Sequence, residues 1–300
     1  MTVYNEKNLS RFDDICKGTP IEIEKQLKKL IPLAENLKNK SIYLQMLSRL
    51  AFTQAAQKKF RLAHHTLNKA EKQLPPEQNL AKARLILERG RIFLISNDFQ
   101  SALPLVKRAY KLSKKHRFDA VTIDAAHMVP ALVKSVKEKI KWNTIAIDIA
   151  KKMRDKKLKE DWLVVLLQAI GLNYIEEKQY NKALFAFEKS KKSAGKLTPK
   201  IVILGANIGI AKSLRLLNSH EKALNMCLSL LKECEHLSAA KNPVEKNLFC
   251  GWLYEELAEI HLKKTNEFAS LAYQYLSKDP WYSKQAPEKL AKLRSFKKIY

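Results

Sequence analysis

Glycine and proline are scarce in this chain of 300 residues, with seven of the first and ten of the second. No Ser/Gly or Pro-rich linker or low-complexity tract can be built from so few. The motifs GxxxxGK[ST], GxGxxG and GxSxG are all missing, so no phosphate loop, dinucleotide fingerprint or nucleophile elbow is present. Gly205 and Gly209 lie together in a small-residue stretch that reads as close helix packing rather than a phosphate cradle. Long apolar runs are also missing. Trp162–Leu167 and Ile201–Ala211 are the most apolar segments, and both fall short of the roughly 18–20 residues that a membrane-spanning helix needs. Met1–Thr19 is polar at first and holds no apolar core of about 7–15 residues, as a secretory signal would. The expected location is cytoplasmic, with signal-independent export left open.

Cysteine is equally spare. Cys16, Cys227, Cys234 and Cys250 form no CxxC pair. Cys227 and Cys234 are seven apart on one helix face, about 10 Å along the axis at 1.5 Å per residue, too far to bridge each other. Reduced, buried thiols are expected, and no metal or cofactor is implied. The seven histidines make no HExxH or other ligand spacing. His127 follows Asp124 by three, so the acid can orient the ring on one helix face. A structural pair is the simpler reading, because no nucleophile accompanies it. Glu255 and Glu256 are adjacent and diverge on a helix, so they do not form a carboxylate pair. No catalytic constellation emerges, and the chain is read as a non-enzyme.

What is abundant is positive charge. The chain holds 56 Lys and Arg against 30 Asp and Glu, a net charge of +26. Such a field favours acidic partners: nucleic acid, anionic lipid or an acidic peptide. Only 11 of the 56 are Arg, the residue suited to bidentate phosphate and base contacts. The local excesses at Lys134–Lys159 and Lys284–Lys298 carry no interleaved aromatic stripe of the single-strand-binding kind. Nucleic acid stays possible without being favoured, since a general lysine bias accounts for the charge as well.

Hydrophobic residues make up 46% of the chain, and they recur at helical spacing. Leu167, Gly171 and Tyr174 fall at i, i+4 and i+7, a stripe on one helix; Tyr180, Ala183 and Phe187 form the matching stripe on a second. Gly171 and Ala183 carry almost no side chain, so the two backbones can approach closely where they cross. Glu176–Gln179 is polar and supplies the turn. Ile86, Gly90, Phe93, Phe99, Ala102 and Val106 repeat these offsets, as do Leu47, Ala51, Phe60, Ala63, Leu67 and Ala70. Ala211, Leu214, Ala223, Cys227 and Leu230 give a looser copy. Along the reference alanines Ala63, Ala102, Ala183 and Ala223, the middle interval is about twice each of the others. A degenerate unit centred on Trp142–Met153 fills that double gap.

These units resemble tetratricopeptide repeats, whose period is about 34 residues. The reference alanines repeat at a longer interval, which means longer helices or connections. The order of Asp124–Met128, Trp142–Asn143, Gly171–Lys189, Glu255–Leu257 and Asp279–Trp281 is further similar to that of a group of bacterial tetratricopeptide-repeat proteins of about this length. The resemblance implies an all-α, right-handed α-solenoid of about six antiparallel helix pairs. It is expected to form one domain over residues 20–300, after a polar segment 1–19. Pairs are expected near 41–75, 79–116, 118–156, 159–195, 199–236 and 243–277, with a capping segment over 284–300. A first helix covers Pro20–Lys38, with Leu37 on its apolar face, and single helices span Phe118–Lys137, Pro243–Lys263 and Ala286–Phe296.

In such repeats the first helix of each pair lines the concave surface. By offset, the resemblance implies groove residues Gln45, Ser48 and Phe52; Arg84, Leu87 and Arg91; Gln168 and Leu172; Ile208, Lys212 and Arg215; and Trp252, Glu255 and Glu259. That mixture suits an extended or helical peptide with some acidic character. The function implied is a protein-interaction scaffold or adaptor. The alternatives are a basic nucleic-acid-binding repeat and a peptide-sensing receptor. Neither the partner nor the oligomeric state can be read from the chain.

Overall fold

A computed structural model describes residues 9, 16, 18–36, 40–196, 198–236, 243–260 and 265–295. Most of the polar segment before Thr19, Leu37, residues 261–263 and residues 296–300 lie outside them. Among the described residues the chain is helical without strands. It divides into two compact units, residues 1–150 and 151–300.

The first unit holds α1 (Pro20–Glu35), α2 (Lys40–Ala56), α3 (Phe60–Lys72), α4 (Asn79–Ile95), α5 (Phe99–Lys115), α6 (Asp119–Met128) and all but the last two residues of α7 (Val136–Lys152). The second holds α8 (Lys156–Glu176), α9 (Tyr180–Ser193), α10 (Lys200–Leu216), α11 (His220–His236), α12 (Pro243–Ile260), α13 (Thr265–Leu276), α14 (Pro280–Gln285) and α15 (Pro287–Ser295). Consecutive helices pack as hairpins: α2 with α3, α4 with α5, α8 with α9, α10 with α11, and α12 with α13.

Glycine is too rare to end these helices, and other residues take the left-handed position. Lys58, Asn97, Lys178 and Asn218 have φ of 61°, 63°, 57° and 61°. In each case the next N–H reaches back to the fifth carbonyl before it: Lys59 to Gln54 (2.9 Å), Asp98 to Phe93 (2.8 Å), Gln179 to Tyr174 (2.8 Å) and Ser219 to Leu214 (2.9 Å). The left-handed residue itself donates to the carbonyl three before. These paired bonds are the Schellman cap, which satisfies the last carbonyls of the first helix and reverses the chain. Arg117 repeats the geometry between α5 and α6 (φ 56°). Asp98 and Asp155 then cap the following helices, accepting from the backbone N–H groups of Ser101 (3.0 Å) and Leu158 (2.9 Å).

Packing within a pair follows a repeated offset. Gly90 meets Val106, and Gly171 meets Phe187, on the following helix at the same separation along the chain. A Cβ on Gly90 would stand 2.8 Å from Val106 Cγ2, and one on Gly171 2.8 Å from Phe187 Cζ. Ala51 and Ala211 occupy the same place relative to Leu67 and Cys227, and all four are buried. Ala63, Ala102, Ala183 and Ala223 are also buried. Leu47, Ile86 and Leu167 join the core, while Phe93, Tyr174 and Tyr180 are half-buried at its margin. The ring of Phe187 does more than fill the crossing with α8. Gly209 of α10 faces it as well, and a Cβ there would fall inside van der Waals contact of the ring. Phe187, 1% exposed, therefore lies between two glycines on two helices.

Three helix boundaries differ from the sequence expectation. The helix expected over Phe118–Lys137 ends at Met128 and continues only as a short 3-10 turn, Val129–Ala131. Pro130 has no N–H to donate and cannot sit inside a continuing helix. α7 begins at Val136, ahead of the expected Trp142, with Ser135 Oγ accepting from Glu138 N (3.4 Å). The terminal segment is two short helices, since Pro287 opens α15 just after α14 closes on Ala286.

Two substitutions test this account. Gly209→Ala gains about 1 kcal/mol of helix propensity but forces the Phe187 ring to move, at about 1–3 kcal/mol. A net loss of stability is expected from the guanidinium midpoint at unchanged m-value, and a midpoint above wild type would show that the ring does not seat there. Lys178→Gly removes the strain of a left-handed non-glycine residue and is expected to stabilise by about 0.5–1 kcal/mol by the same measurement.

Candidate functional site

In the second unit the first helices α8, α10 and α12 enclose a cleft of about 430 Å³. α8 contributes Gln168 and Leu172; α10 contributes Gly205, Ile208, Gly209 and Lys212; α12 contributes Phe249, Trp252, Glu255 and Glu256. Phe187 of α9 reaches it between the two glycines. Tyr282 and Gln285 of α14, with Ala286 and Lys289, form the remaining wall. Six of the expected groove residues thus meet here: Gln168, Leu172, Ile208, Lys212, Trp252 and Glu255.

One part of the lining is apolar. Leu172 is 55% exposed although it stands in a helix interior. Phe249 and Trp252 meet edge to face, with centroids 5.3 Å apart and planes at 78°. Gly205 leaves room beside α10 for the Gln168 amide. That amide donates to Ser190 Oγ (3.3 Å) and to the Val202 carbonyl (3.0 Å), so Gln168 braces three helices while it lines the cleft.

The other part is ionic and internally balanced. Glu256, 2% exposed, accepts from Lys212 Nζ at 2.8 Å and Arg215 Nε at 2.7 Å. Arg215 also faces Glu259 at 3.9 Å, and Glu259 pairs with Lys292 at 3.0 Å. Glu255 accepts from the Tyr282 hydroxyl (3.2 Å) and pairs with Lys289 (3.5 Å). Arg215 and Glu259 therefore serve the ion network beside the cleft rather than its lining. Burial by itself would raise the Glu256 carboxyl, but Lys212 and Arg215 outweigh it and hold it below its ordinary 4.5. Burial and the neighbouring Glu255 carboxylate push the Tyr282 hydroxyl upward. Sequence reasoning missed Phe249 and Glu256, and, on the remaining wall, Tyr282, Ala286 and Lys289 together with Gln285. The spacing of Phe249, Trp252 and Glu256 on one helix face was the available signal for the first two. Nothing local marks the last four.

In the first unit the expected groove residues are engaged by internal partners or buried. Phe52 lies between the guanidinium groups of Arg49 and Arg91, at 5.1 and 5.3 Å. Arg91 pairs with Glu88 (3.1 Å) and with Asp124 of α6 (2.5 Å). Leu87 is 2% exposed and belongs to the core: at 100° per residue it sits about 60° around the helix from Arg84. Ser48 is buried too, donating to the Gln45 carbonyl (2.7 Å), and Gln45 donates to Ser41 Oγ (3.1 Å). Asp124 is engaged by Arg91, and His127 shares a hydrogen bond with Asn143. Burial lowers the His127 pKa from 6.5. Glu88 shows the reverse of Glu256: its burial dominates over the pull of Arg91 and raises it above 4.5.

These directions fix the sign of a pH test. Glu256 binds its proton less tightly in the folded chain, so its contribution is complete above pH 4.5 and is lost as the pH falls through its lower folded value. The Glu88 contribution is complete below pH 4.5 and is lost as the pH rises through its raised folded value. Glu256→Gln strands Lys212 and Arg215 and is expected to cost about 3–5 kcal/mol at pH 7. The difference from wild type should shrink as the pH is lowered below 4.5. Denaturant titrations at pH 7, 5 and 3.5 check this, and a pH-independent difference would contradict the assignment.

No protein-family model matches the sequence, and neither does any curated protein. Solved structures do match in fold. RapI in its apo form has a TM-score of 0.66 at 16% identity, covering 96% of this chain and 79% of RapI. A signal transduction ATPase with numerous domains from Pyrococcus horikoshii, which carries a tetratricopeptide repeat sensor, has a TM-score of 0.60 at 16% identity; the match covers 97% of this chain and 50% of that one. NprR in complex with its cognate peptide NprX has a TM-score of 0.51 at 15% identity, over 98% of this chain and 90% of NprR. No described helix is long and apolar enough to cross a membrane. Repeated helix hairpins, small residues at their crossings and these likenesses together make this chain a tetratricopeptide-repeat-like protein in its fold.

Proposed function

We propose that this protein is a non-enzymatic interaction adaptor whose cleft between α8, α10 and α12 binds a peptide or helical segment. The observation that carries the reading is an exposed Leu172 beside the Phe249–Trp252 pair in a cleft of about 430 Å³. Apolar side chains left open in a concave site are the usual anchor points for a ligand side chain. The ionic wall supports the same occupant. Lys212 and Lys289 already pair with Glu256 and Glu255, so the cleft does not ask for a strongly charged ligand. A bulky apolar side chain fits it, and the net charge of +26 favours acidic residues on either side of that anchor. NprR, a protein of similar fold, was solved with a bound peptide.

Selection of a displayed random-peptide library against the full chain, followed by calorimetry, tests the reading. Selected peptides are expected to share one bulky apolar residue. Trp252→Ala and Leu172→Asp should each weaken them at least about tenfold. Leu172 is exposed, so its variant should melt with wild type. Binding indifferent to both substitutions overturns the proposal. Retention of nucleic acid alone, weakening steeply with salt, would favour the basic-repeat reading instead.

A further inference from the structure

The second unit brings together two cysteines from different helices. Cys234 of α11 and Cys250 of α12 are fully buried, and their sulfur atoms lie 2.7 Å apart. Closing them to a bond of about 2.05 Å requires a shift of well under 1 Å. Cys227, the other cysteine of α11, stands two helical turns away, about 10 Å along the axis. Cys250 follows Phe249 and precedes Trp252 by two, so it lies behind the aromatic wall of the cleft.

We propose that Cys234 and Cys250 are a redox modification site, forming a reversible disulfide that staples α11 to α12. The oxidant class is a peroxide. One thiolate attacks the O–O bond, giving a sulfenic acid and releasing the other oxygen as water or alcohol. The second thiolate then attacks that sulfur, forming the S–S bond and expelling hydroxide, which leaves as water. The two thiols together lose two electrons and two protons. With hydrogen peroxide, two waters form. Neither sulfur is exposed, so the reaction waits on local opening between the helices and proceeds over minutes to hours. Cys227 stays a thiol: no cysteine is within reach along its helix, and burial pushes it up to about 12. The bond closes a loop whose ends are already together in the folded chain, so it stabilises the fold mainly by restricting the unfolded one.

The test is a disulfide map of the folded full chain treated with hydrogen peroxide, quenched, unfolded in the presence of an alkylating agent and digested with trypsin without reduction. Cleavage after Lys232, Lys241 and Lys246 places Cys227, Cys234 and Cys250 on three separate peptides. The expected product joins the Cys234 and Cys250 peptides, two hydrogens lighter than their sum. Dithiothreitol should dissolve it, and it should be accompanied by a melting temperature several degrees higher. In Cys250→Ser, Cys234 should be recovered alkylated. Should that variant not fold, the wild-type map decides alone. Recovery of Cys234 and Cys250 singly alkylated or overoxidised, or linked mainly to Cys16 or Cys227, overturns the proposal.

Discussion

The ring of Phe187 is held between Gly171 and Gly209, and the packing of α8, α9 and α10 turns on that contact. One side chain on α9 thereby sets the approach of α8 on one side and α10 on the other. Neither glycine is there for helix propensity, which each lowers by about 1 kcal/mol. What they provide is a gap in each helix surface, sized for an aromatic ring in an interior packed to crystal density. The consequence reaches the cleft directly. Gly205, Ile208 and Lys212 share α10 with Gly209, and Leu172 follows Gly171, so the contact that fixes the pair also fixes the cleft floor.

The hairpins are closed by a second constraint that is independent of side-chain identity. Lys, Asn, Arg, Lys and Asn hold the left-handed position at five helix ends, and each satisfies the same carbonyls through the same backbone bonds. Backbone bonding is enough to hold a reversal that most chains assign to glycine. A repeat can therefore keep its geometry while its turn sequence drifts, which explains why so few glycines suffice.

The two ion clusters show the same physical terms with opposite outcomes. Glu256 is buried, and Glu88 is half-buried with its side chain 14% exposed. Glu256 has Lys212 and Arg215 at hydrogen-bonding distance, and attraction exceeds the loss of water. Glu88 shares Arg91 with Asp124, whose own charge works against it. In the first unit this leaves Arg91 committed to internal partners. In the second, the charges neutralise one another around an apolar opening.

The class of fold was legible in the order of residues alone. Leu167, Gly171, Tyr174, Ala183 and Phe187 recur in outline at Ile86–Val106 and Leu47–Ala70, because side chains on one helix face must repeat every three or four residues to meet a neighbour. The same order also named most of the cleft residues on α8, α10 and α12, since position along a repeat helix dictates which way a side chain faces. At Leu87 a small difference in angle around the helix is enough to turn an expected groove residue into core. The remainder depended on contacts between distant segments. The second glycine against Phe187, the carboxylate of Glu256 beneath Lys212 and Arg215, the wall from Tyr282 to Lys289, and the meeting of Cys234 with Cys250 join residues on different helices. Periodicity reports the face of one helix at a time; only the packed chain decides which faces touch.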